Sequence, residues 1–236
     1  LYGGAAGGGK SDALLMAALQ YVDVPGYSAL LLRKTFADLA LPGALMTRAN
    51  EWLRPTGTRF AANQHRWVFP SGANLTFGYL DSAGAEYRYQ SSEFQFIGFD
   101  ELTQFREVQY RFLFSRLRRL EGSNIPLRMR SASNPGGIGH EWVRSRFVDK
   151  TEEDGDRIFV PATLTDNPYL DAESYTQSLE QLDPVTRQQL LNGDWTARQE
   201  GNLFKREWLP IVGELPVAIN RSVRFWDLAA TAARPG

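Results

Sequence analysis

The sequence contains no cysteine and only two histidines, His65 and His140, among 236 residues. The absence of cysteine excludes disulfides and thiolate metal sites, and the wide separation of the two histidines argues against a zinc site built on imidazole. No apolar run approaches the roughly 20 residues needed to cross a bilayer, and no signal segment opens the chain. These absences favour an intracellular, reducing environment and no membrane association.

An excess of charge of either sign is also missing, because 26 basic residues stand against 27 acidic ones. A nucleic-acid partner would therefore be bound through a local basic patch. The stretch 106–119 is a candidate because it carries five arginines separated by apolar residues. The alternative interpretation is the solvated face of an amphipathic helix. Hydrophobic residues make up 43% of the chain, enough for a globular core.

Predicted strands alternate with predicted helices along most of the chain. Apolar spacing predicts strands at 28–32, 94–99, 127–133 and 157–160, two strands around a Ser71-Gly72 turn within 66–80, and helices at 11–22 and within 172–193, the last interrupted at Asp183-Pro184. This alternation predicts an α/β fold with a mainly parallel sheet flanked by helices on both faces.

The strongest local signal is a glycine-rich loop followed by a helical segment. It matches G-x-x-x-x-G-K-[ST] with Gly4, Ala5, Ala6, Gly7, Gly8, Gly9, Lys10 and Ser11. Glycine lets the backbone curl so that several N–H groups face a phosphate, and the helix N-terminus adds a positive dipole. The pattern predicts an ATP site in which Lys10 reaches the β- and γ-phosphates and the Ser11 hydroxyl ligates Mg²⁺.

Two acidic residues, Asp100 and Glu101, directly follow the predicted strand at 94–99. In open α/β sheets, ligands bind at the carboxyl ends of the strands. We expect Asp100 to hold Mg²⁺ through water and Glu101 to orient and polarise the attacking water. A glutamate beside the aspartate favours a hydrolysing P-loop NTPase of the ASCE type over a small-molecule kinase, which activates no water.

Ser133 and Asn134 end the predicted strand at 127–133. A polar side chain at the end of a neighbouring strand can sense the γ-phosphate and change position on hydrolysis. The alternative is an ordinary turn, because Asn-Pro-Gly-Gly is typical turn sequence.

The order of these segments resembles a phage-type large terminase, through GGAAGGGKS, LLLRKTFADL, FQFIGFDELTQF and SASNPGGIGHEWV. The stretches DNPYL, NGDW and FKREW are similar to the family's segment between ATPase and nuclease, so the resemblance covers nearly the whole chain. It implies an ATP- and Mg²⁺-dependent motor in the cytoplasm of a phage-infected or lysogenic bacterium. Such a motor works as a homo-oligomeric ring with a small terminase subunit and a portal, and drives double-stranded DNA into a procapsid.

The resemblance also implies a domain order. We expect a P-loop ATPase domain at 1–193, a linker at 194–220 and the beginning of an RNase H-like nuclease domain at 221–236, with both ends of the chain truncated. Asp227 matches the first metal-binding acid of that nuclease. Because two-metal cleavage needs several acids, we expect this chain alone not to cut DNA.

Two arginines each have more than one interpretation. The family has an Arg-Gly pair before the Asp-Glu strand, whose arginine acts as a finger in a neighbouring subunit. Gln90 stands at that place here, and Arg88 is the nearest substitute, either as a finger or as a plain surface residue. Arg33 matches an arginine of the RKTFADL segment and faces the nucleotide or the DNA, or is an exposed ion-paired residue.

Other functions compete with the packaging motor. A helicase-like nucleic-acid ATPase would need further motifs in a second motor domain. A P-loop binding or assembly module would bind ATP without turnover, although Lys10, Ser11, Asp100 and Glu101 are all present. Binding without hydrolysis, even with DNA and procapsid, would favour the module.

Overall fold

The computed structural model describes residues 1–150, 155 and 157–197. Eight strands form one sheet: β1 (Tyr2–Gly4), β2 (Ser28–Arg33), β3 (Arg59–Ala61), β4 (Arg66–Val68), β5 (Asn74–Tyr79), β6 (Phe96–Asp100), β7 (Arg128–Ser133) and β8 (Val160–Ala162). The α-helices are α1 (Lys10–Leu19), α2 (Phe36–Ala40), α3 (Leu45–Leu53), α4 (Glu107–Phe114), α5 (His140–Val143), α6 (Ala172–Leu179) and α7 (Pro184–Leu191). Contacts divide the chain into the units Leu1–Arg198 and Gln199–Gly236, and the second unit lies outside the described residues.

The strand order in the sheet is β3-β4-β5-β2-β6-β7-β1-β8. The five pairings from β5 to β8 are parallel, and those of β3 with β4 and β4 with β5 are antiparallel. The sheet is therefore mixed, with a parallel part that carries the strand ends of interest and an antiparallel hairpin at one side. The parallel part places the carboxyl ends of β1, β2, β5, β6 and β7 at one edge, where ligands bind in such folds.

The central strand β2 divides the core into two layers. Leu30, Leu31 and Leu32 are fully buried, as expected of a parallel strand covered on both faces. Leu31 packs in one cluster with α1 and α3, whereas Leu30 and Leu32 pack in the other with α4 and α5. This alternation follows from the two-residue period of a strand, and it makes the domain a sheet between two helical layers.

Most elements predicted from sequence are confirmed. The helix after the glycine-rich loop, the strands β2, β6 and β7, and the hairpin of β4 and β5 around Ser71-Gly72 lie where the apolar spacing places them. The last predicted strand, at 157–160, is displaced, since β8 spans Val160–Ala162. Its pattern is weak because Ile158 and Val160 are exposed, so alternation there carries little information.

The helices α6 and α7 begin at polar caps that are visible in the sequence. The Asp171 side chain accepts a hydrogen bond from the Ser174 N–H, and that of Asp183 accepts from the Val185 and Thr186 N–H groups. Pro184 follows at the first helical position, where its missing N–H costs nothing. None of the helices in the described part of the chain combines the length and apolar character that a membrane span requires.

Candidate functional site

The glycine-rich loop connects β1 to α1 at the carboxyl edge of the sheet. Gly4, Gly7 and Gly9 have φ values of 139°, 78° and 71°, in the region that side chains with Cβ avoid. Gly9 is the N-cap of α1, and no side chain caps the helix there. The free N–H groups of the first turn therefore face the loop, as an anion site requires.

Lys10 is the first residue of α1 and is only 7% exposed. Its ammonium folds back and donates to the Ala5 carbonyl of the same loop. Burial lowers the pKa of Lys10, and the carboxylates of Glu101 and Asp100 oppose that shift. A buried amine inside a curled loop is placed to bind an anion that enters the loop.

Asp100 joins the glycine-rich loop to the acidic pair that follows the apolar part of β6. The Ser11 hydroxyl donates to Asp100 Oδ1 at 2.8 Å, and Arg33 Nη1 lies 3.3 Å from Asp100 Oδ2. Burial raises the pKa of Asp100 to about 6, and the Arg33 guanidinium opposes that rise. The fold thus brings residues 11, 33 and 100 together at the ends of three elements.

Arg33 is not an exposed surface residue. Its side chain is 18% exposed, and Nη1 also lies 3.7 Å from Glu101 Oε1. Arg33 lies beside the two acids because β2 and β6 are neighbouring strands. Leu32 pairs with Phe99, which places the next residue of β2 beside the acids. Arg33 therefore neutralises charge that Asp100 and Glu101 concentrate at the sheet edge.

Glu101 has an unusual backbone conformation. Its φ and ψ are 55° and 58°, a left-handed conformation that costs roughly 1–2 kcal/mol for a residue with a side chain. The residue directly follows Asp100, the last residue of β6, and is the N-cap of the 3₁₀ turn Leu102–Gln104. Such strain concentrates at functional sites, and here it directs the chain sharply away from the sheet directly after the two acids.

Ser133 and Asn134 lie beside the loop because Gly3 pairs with Ser133 in the parallel register. Ser133 is fully buried, and its hydroxyl accepts from the Thr103 N–H at 3.1 Å. The Asn134 Oδ1 is buried and has no hydrogen-bond partner among the described residues. An unpaired buried oxygen is costly, so Asn134 is the member of this pair with unused capacity to bind a ligand.

The chain after β8 covers the glycine-rich loop. The Ala6 N–H donates to the Leu190 carbonyl at 2.7 Å, and Asn167 Nδ2 donates to the Gly7 carbonyl at 2.7 Å. A Cβ on Gly193 would lie 2.5 Å from the Ala5 nitrogen. Sequence reasoning assigned no role to Asn167 or Gly193, although both fall in the DNPYL and NGDW stretches that carry the resemblance.

Arg88 lies away from this cluster. Its guanidinium pairs with Asp81 at 2.5 Å and stacks over the Tyr79 ring at 4.7 Å. Both contacts are at the carboxyl end of β5, four strand intervals from β1, or about 19 Å at the usual strand spacing. Arg88 is therefore on the same sheet edge as the glycine-rich loop but not beside the loop of its own chain.

The basic stretch 106–119 does not form one helical face. The helix α4 ends at Phe114, so three of the five arginines follow it. Arg111 pairs with Glu107 at 2.9 Å and Arg118 with Glu93 at 3.6 Å, which neutralises part of the stretch. Asp227, the predicted nuclease residue, lies outside the described residues.

The oxygen pair of Ser11 and Asp100 fits a magnesium ion that binds together with a nucleotide. Mg²⁺ prefers oxygen ligands and commonly takes only one or two from protein beside phosphates and water. Within 1–150, 155 and 157–197, no group of three or more His, Cys, Asp or Glu side chains is arranged to hold a metal. The geometry is thus compatible with a shared nucleotide–metal site rather than an all-protein one.

Solved structures with a similar fold are large terminases. The large terminase of a thermophilic bacteriophage matches with a TM-score of 0.67 and 17% identity, over 86% of this chain and 50% of that one. The complex of that terminase with ATP-gamma-S matches with a TM-score of 0.64 and 16% identity, over 81% and 46%. The Thermus phage P74-26 large terminase ATPase domain matches with a TM-score of 0.52 and 13% identity, over 81% and 86%. The chain therefore spans about half the length of the first of these proteins.

The glycine-rich loop between β1 and α1 and the Asp-Glu pair after β6 define a P-loop NTPase fold. The family described as terminase large subunit, T4likevirus-type, N-terminal, matches residues 1–211. The chain belongs to this family. The comparison with curated proteins gave no match.

Proposed function

We propose that this chain is the ATP-hydrolysing part of a motor that packages viral double-stranded DNA. The observation that carries the proposal is the 2.8 Å hydrogen bond between the Ser11 hydroxyl and Asp100 Oδ1, which joins the P-loop to the acidic strand end across 89 residues of sequence. Family membership and the P-loop fold support the same function. ATP-gamma-S in the structure of the thermophilic phage terminase supports ATP as the nucleotide.

In the proposed mechanism, each residue of the site has one role. Lys10 binds the β- and γ-phosphates, which replace the Ala5 carbonyl as its partner. Ser11 and Asp100 would hold Mg²⁺, which would supply positive charge to the phosphates. Glu101 holds and orients the attacking water, and its strained backbone keeps the carboxylate at the sheet edge. Asn134, with its unpaired Oδ1, or Ser133 senses whether the γ-phosphate is present.

Phosphate binding also requires a change in the loop itself. The Ala6 N–H is bonded to the Leu190 carbonyl in this conformation. For that N–H to reach a phosphate oxygen, the end of α7 has to release it. We therefore expect nucleotide binding to loosen the contact between residues 6 and 190.

The test is Mg²⁺-dependent ATP hydrolysis by the chain, with linear double-stranded DNA and procapsids added. Glu101→Gln keeps the shape of the side chain but removes the carboxylate, and loss of such a group typically costs about 10²–10⁴ in rate. Glu51→Gln, at an exposed glutamate on α3, is the matched control. Tight ATP binding without turnover under every condition would favour a binding module instead. Hydrolysis that is stimulated by DNA but unchanged by procapsids would favour a helicase-like ATPase.

Arg88 is proposed as a finger that acts on a neighbouring copy in a ring. This role is supported by its place on the same edge as the P-loop but four strand intervals from β1, because only a second copy brings a P-loop within reach. Arg88→Ala should slow hydrolysis by about 10³–10⁵ in the assembled ring. Arg111→Ala removes a similarly exposed, ion-paired arginine and serves as control. An unchanged rate of the assembled Arg88 variant would exclude the role.

The partners and the second activity are also proposals. Double-stranded DNA, a small terminase subunit and a portal are the partners expected of a packaging motor in the host cytoplasm. Asp227 as a nuclease ligand stays a prediction, since position 227 lies outside the described residues. Metal-dependent DNA cleavage by this chain, abolished by Asp227→Ala, would overturn our expectation that the chain alone does not cut DNA.

A further inference from the structure

A buried histidine links the loop after β7 to the segment after α7. The Gly136 N–H donates to His140 Nδ1 at 2.8 Å, and His140 Nε2 lies 3.1 Å from the Trp195 carbonyl oxygen. Because Nδ1 accepts a hydrogen bond, it carries no proton, and the proton sits on Nε2. Nε2 therefore donates to Trp195, and the ring bridges two backbone groups 59 residues apart in sequence.

Packing makes this bridge stiff. The His140 ring stacks on the Trp195 ring with centroids 5.5 Å apart and planes at 28°, and Trp195 is 4% exposed. Gly136 also packs closely against Gln189, since a Cβ on Gly136 would lie 2.8 Å from Gln189 Oε1. Gln189 Nε2 in turn donates to the Ala197 carbonyl at 2.9 Å. Close-packed contacts of this kind transmit displacement rather than absorb it.

The same loop is also bonded to Thr103, which lies two residues after the candidate water-positioning residue Glu101. The Gln104 N–H donates to the Glu101 carbonyl at 2.9 Å, and the Gly139 N–H donates to the Thr103 carbonyl at 2.6 Å. The Thr103 hydroxyl lies 3.0 Å from the Ser133 hydroxyl. The loop 134–139 is thus bonded at both ends to Thr103, two residues after Glu101, and through the histidine ring to Trp195.

We propose that His140 is a positioning residue that couples the nucleotide state of the P-loop site to the segment around Trp195. Trp195 lies four residues before the second unit, Gln199–Gly236, so this segment is the covalent route from the site to the rest of the chain. The inference rests on the proposed function. A shift of Asn134 on loss of the γ-phosphate moves Gly136, and the ring passes the shift to Trp195 because both of its nitrogens are engaged.

Two variants each remove one of the two hydrogen bonds that the His140 ring makes. In His140→Asn, the amide oxygen can take the place of Nδ1 as acceptor for the Gly136 N–H. The asparagine side chain is too short to reach the Trp195 carbonyl. In His140→Gln, the longer side chain can donate to Trp195 but leaves the Gly136 N–H without its acceptor. Coupling through the ring requires both hydrogen bonds, so both variants should lose communication equally. If the His140 ring only stabilised its local surroundings, the two variants would instead reduce communication by different amounts.

The measurement is hydrogen exchange of the amides of residues 195–197 in the full chain with Mg²⁺ and either ATP-gamma-S or ADP, because residues 190 and 193 contact the P-loop directly. The wild-type protein should show different exchange in the two nucleotides. Both His140 variants should lose that difference while their nucleotide affinities stay within about twofold of wild type, the scale expected of a distant site. His65→Asn, at the other histidine of the chain, should keep the difference.

Each outcome has a defined meaning. A nucleotide-dependent difference that persists in both His140 variants would overturn the coupling but leave the proposed ATPase intact. No binding of either nucleotide by the wild-type chain would overturn the proposed function and the coupling with it. If the His140 variants fail to fold, Trp195→Phe keeps the carbonyl acceptor but shrinks the stacked ring. This variant should reduce the exchange difference, and an unchanged difference would refute the inference.

Discussion

Gly193→Ala tests whether the end of α7 lies against the P-loop. Gly193 has a φ of 65°, and a Cβ there would lie 2.5 Å from the Ala5 nitrogen and 2.7 Å from the Gly4 carbonyl carbon. The left-handed conformation costs an alanine roughly 1–2 kcal/mol, and overpacking against backbone adds about 1–3 kcal/mol. The free energy of unfolding should therefore fall by about 2–5 kcal/mol.

The chain offers a matched control for this substitution. Gly122 has a φ of 70°, and a Cβ there meets nothing within 4 Å. Gly122→Ala should carry only the conformational cost of roughly 1–2 kcal/mol, so the difference between the two variants isolates the contact with the loop. Urea denaturation measures both free energies of unfolding, and a nucleotide titration should show weaker binding in Gly193→Ala alone. Equal destabilisation of the two variants would refute the close approach of residue 193 to the P-loop.

Three further predictions concern the same edge of the sheet. Because burial raises the pKa of Asp100 from 3.8 to about 6, the folded state holds that proton more tightly than the unfolded state. The contribution of Asp100 to stability is therefore lost as pH rises from about 4 to about 6, by up to about 3 kcal/mol. Asp100→Asn should lack this slope in urea denaturations at about pH 4 and about pH 7, and an identical slope would contradict the assignment. Glu101→Asn should raise the free energy of unfolding by about 1 kcal/mol, because asparagine tolerates the left-handed conformation, while ATP turnover is lost; a less stable variant would argue against strain. Asn167→Ala removes the hydrogen bond to the Gly7 carbonyl and should raise the KM for ATP more than it lowers kcat. Asn74→Ala, which removes a local hydrogen bond to the Gly72 carbonyl at the start of β5, should change neither.

Sequence reasoning succeeded where structure depends on short-range pattern. The P-loop was predictable because its glycines and the following helix are adjacent in sequence, and β2 because Leu30, Leu31 and Leu32 form a continuous apolar run. The acids after β6 were predictable as a pair at a strand end. The true position of β8 was not predictable, because a strand of three residues with two exposed side chains has little pattern to detect.

The positions of Arg33, Asn167 and Gly193 at the candidate site depended on the tertiary structure alone. Arg33 meets Asp100 because β2 and β6 are neighbours in the sheet, and strand order is a long-range property that local propensity does not encode. Asn167 and Gly193 reach the P-loop because the chain after β8 folds back over it, and the bond from Asn167 to Gly7 joins residues 160 positions apart. The sequence by itself therefore determined the glycine-rich loop and the acidic pair that we propose carry the nucleotide chemistry. The packing of the chain decided what neutralises those groups and what covers them, since both depend on which distant segments become neighbours.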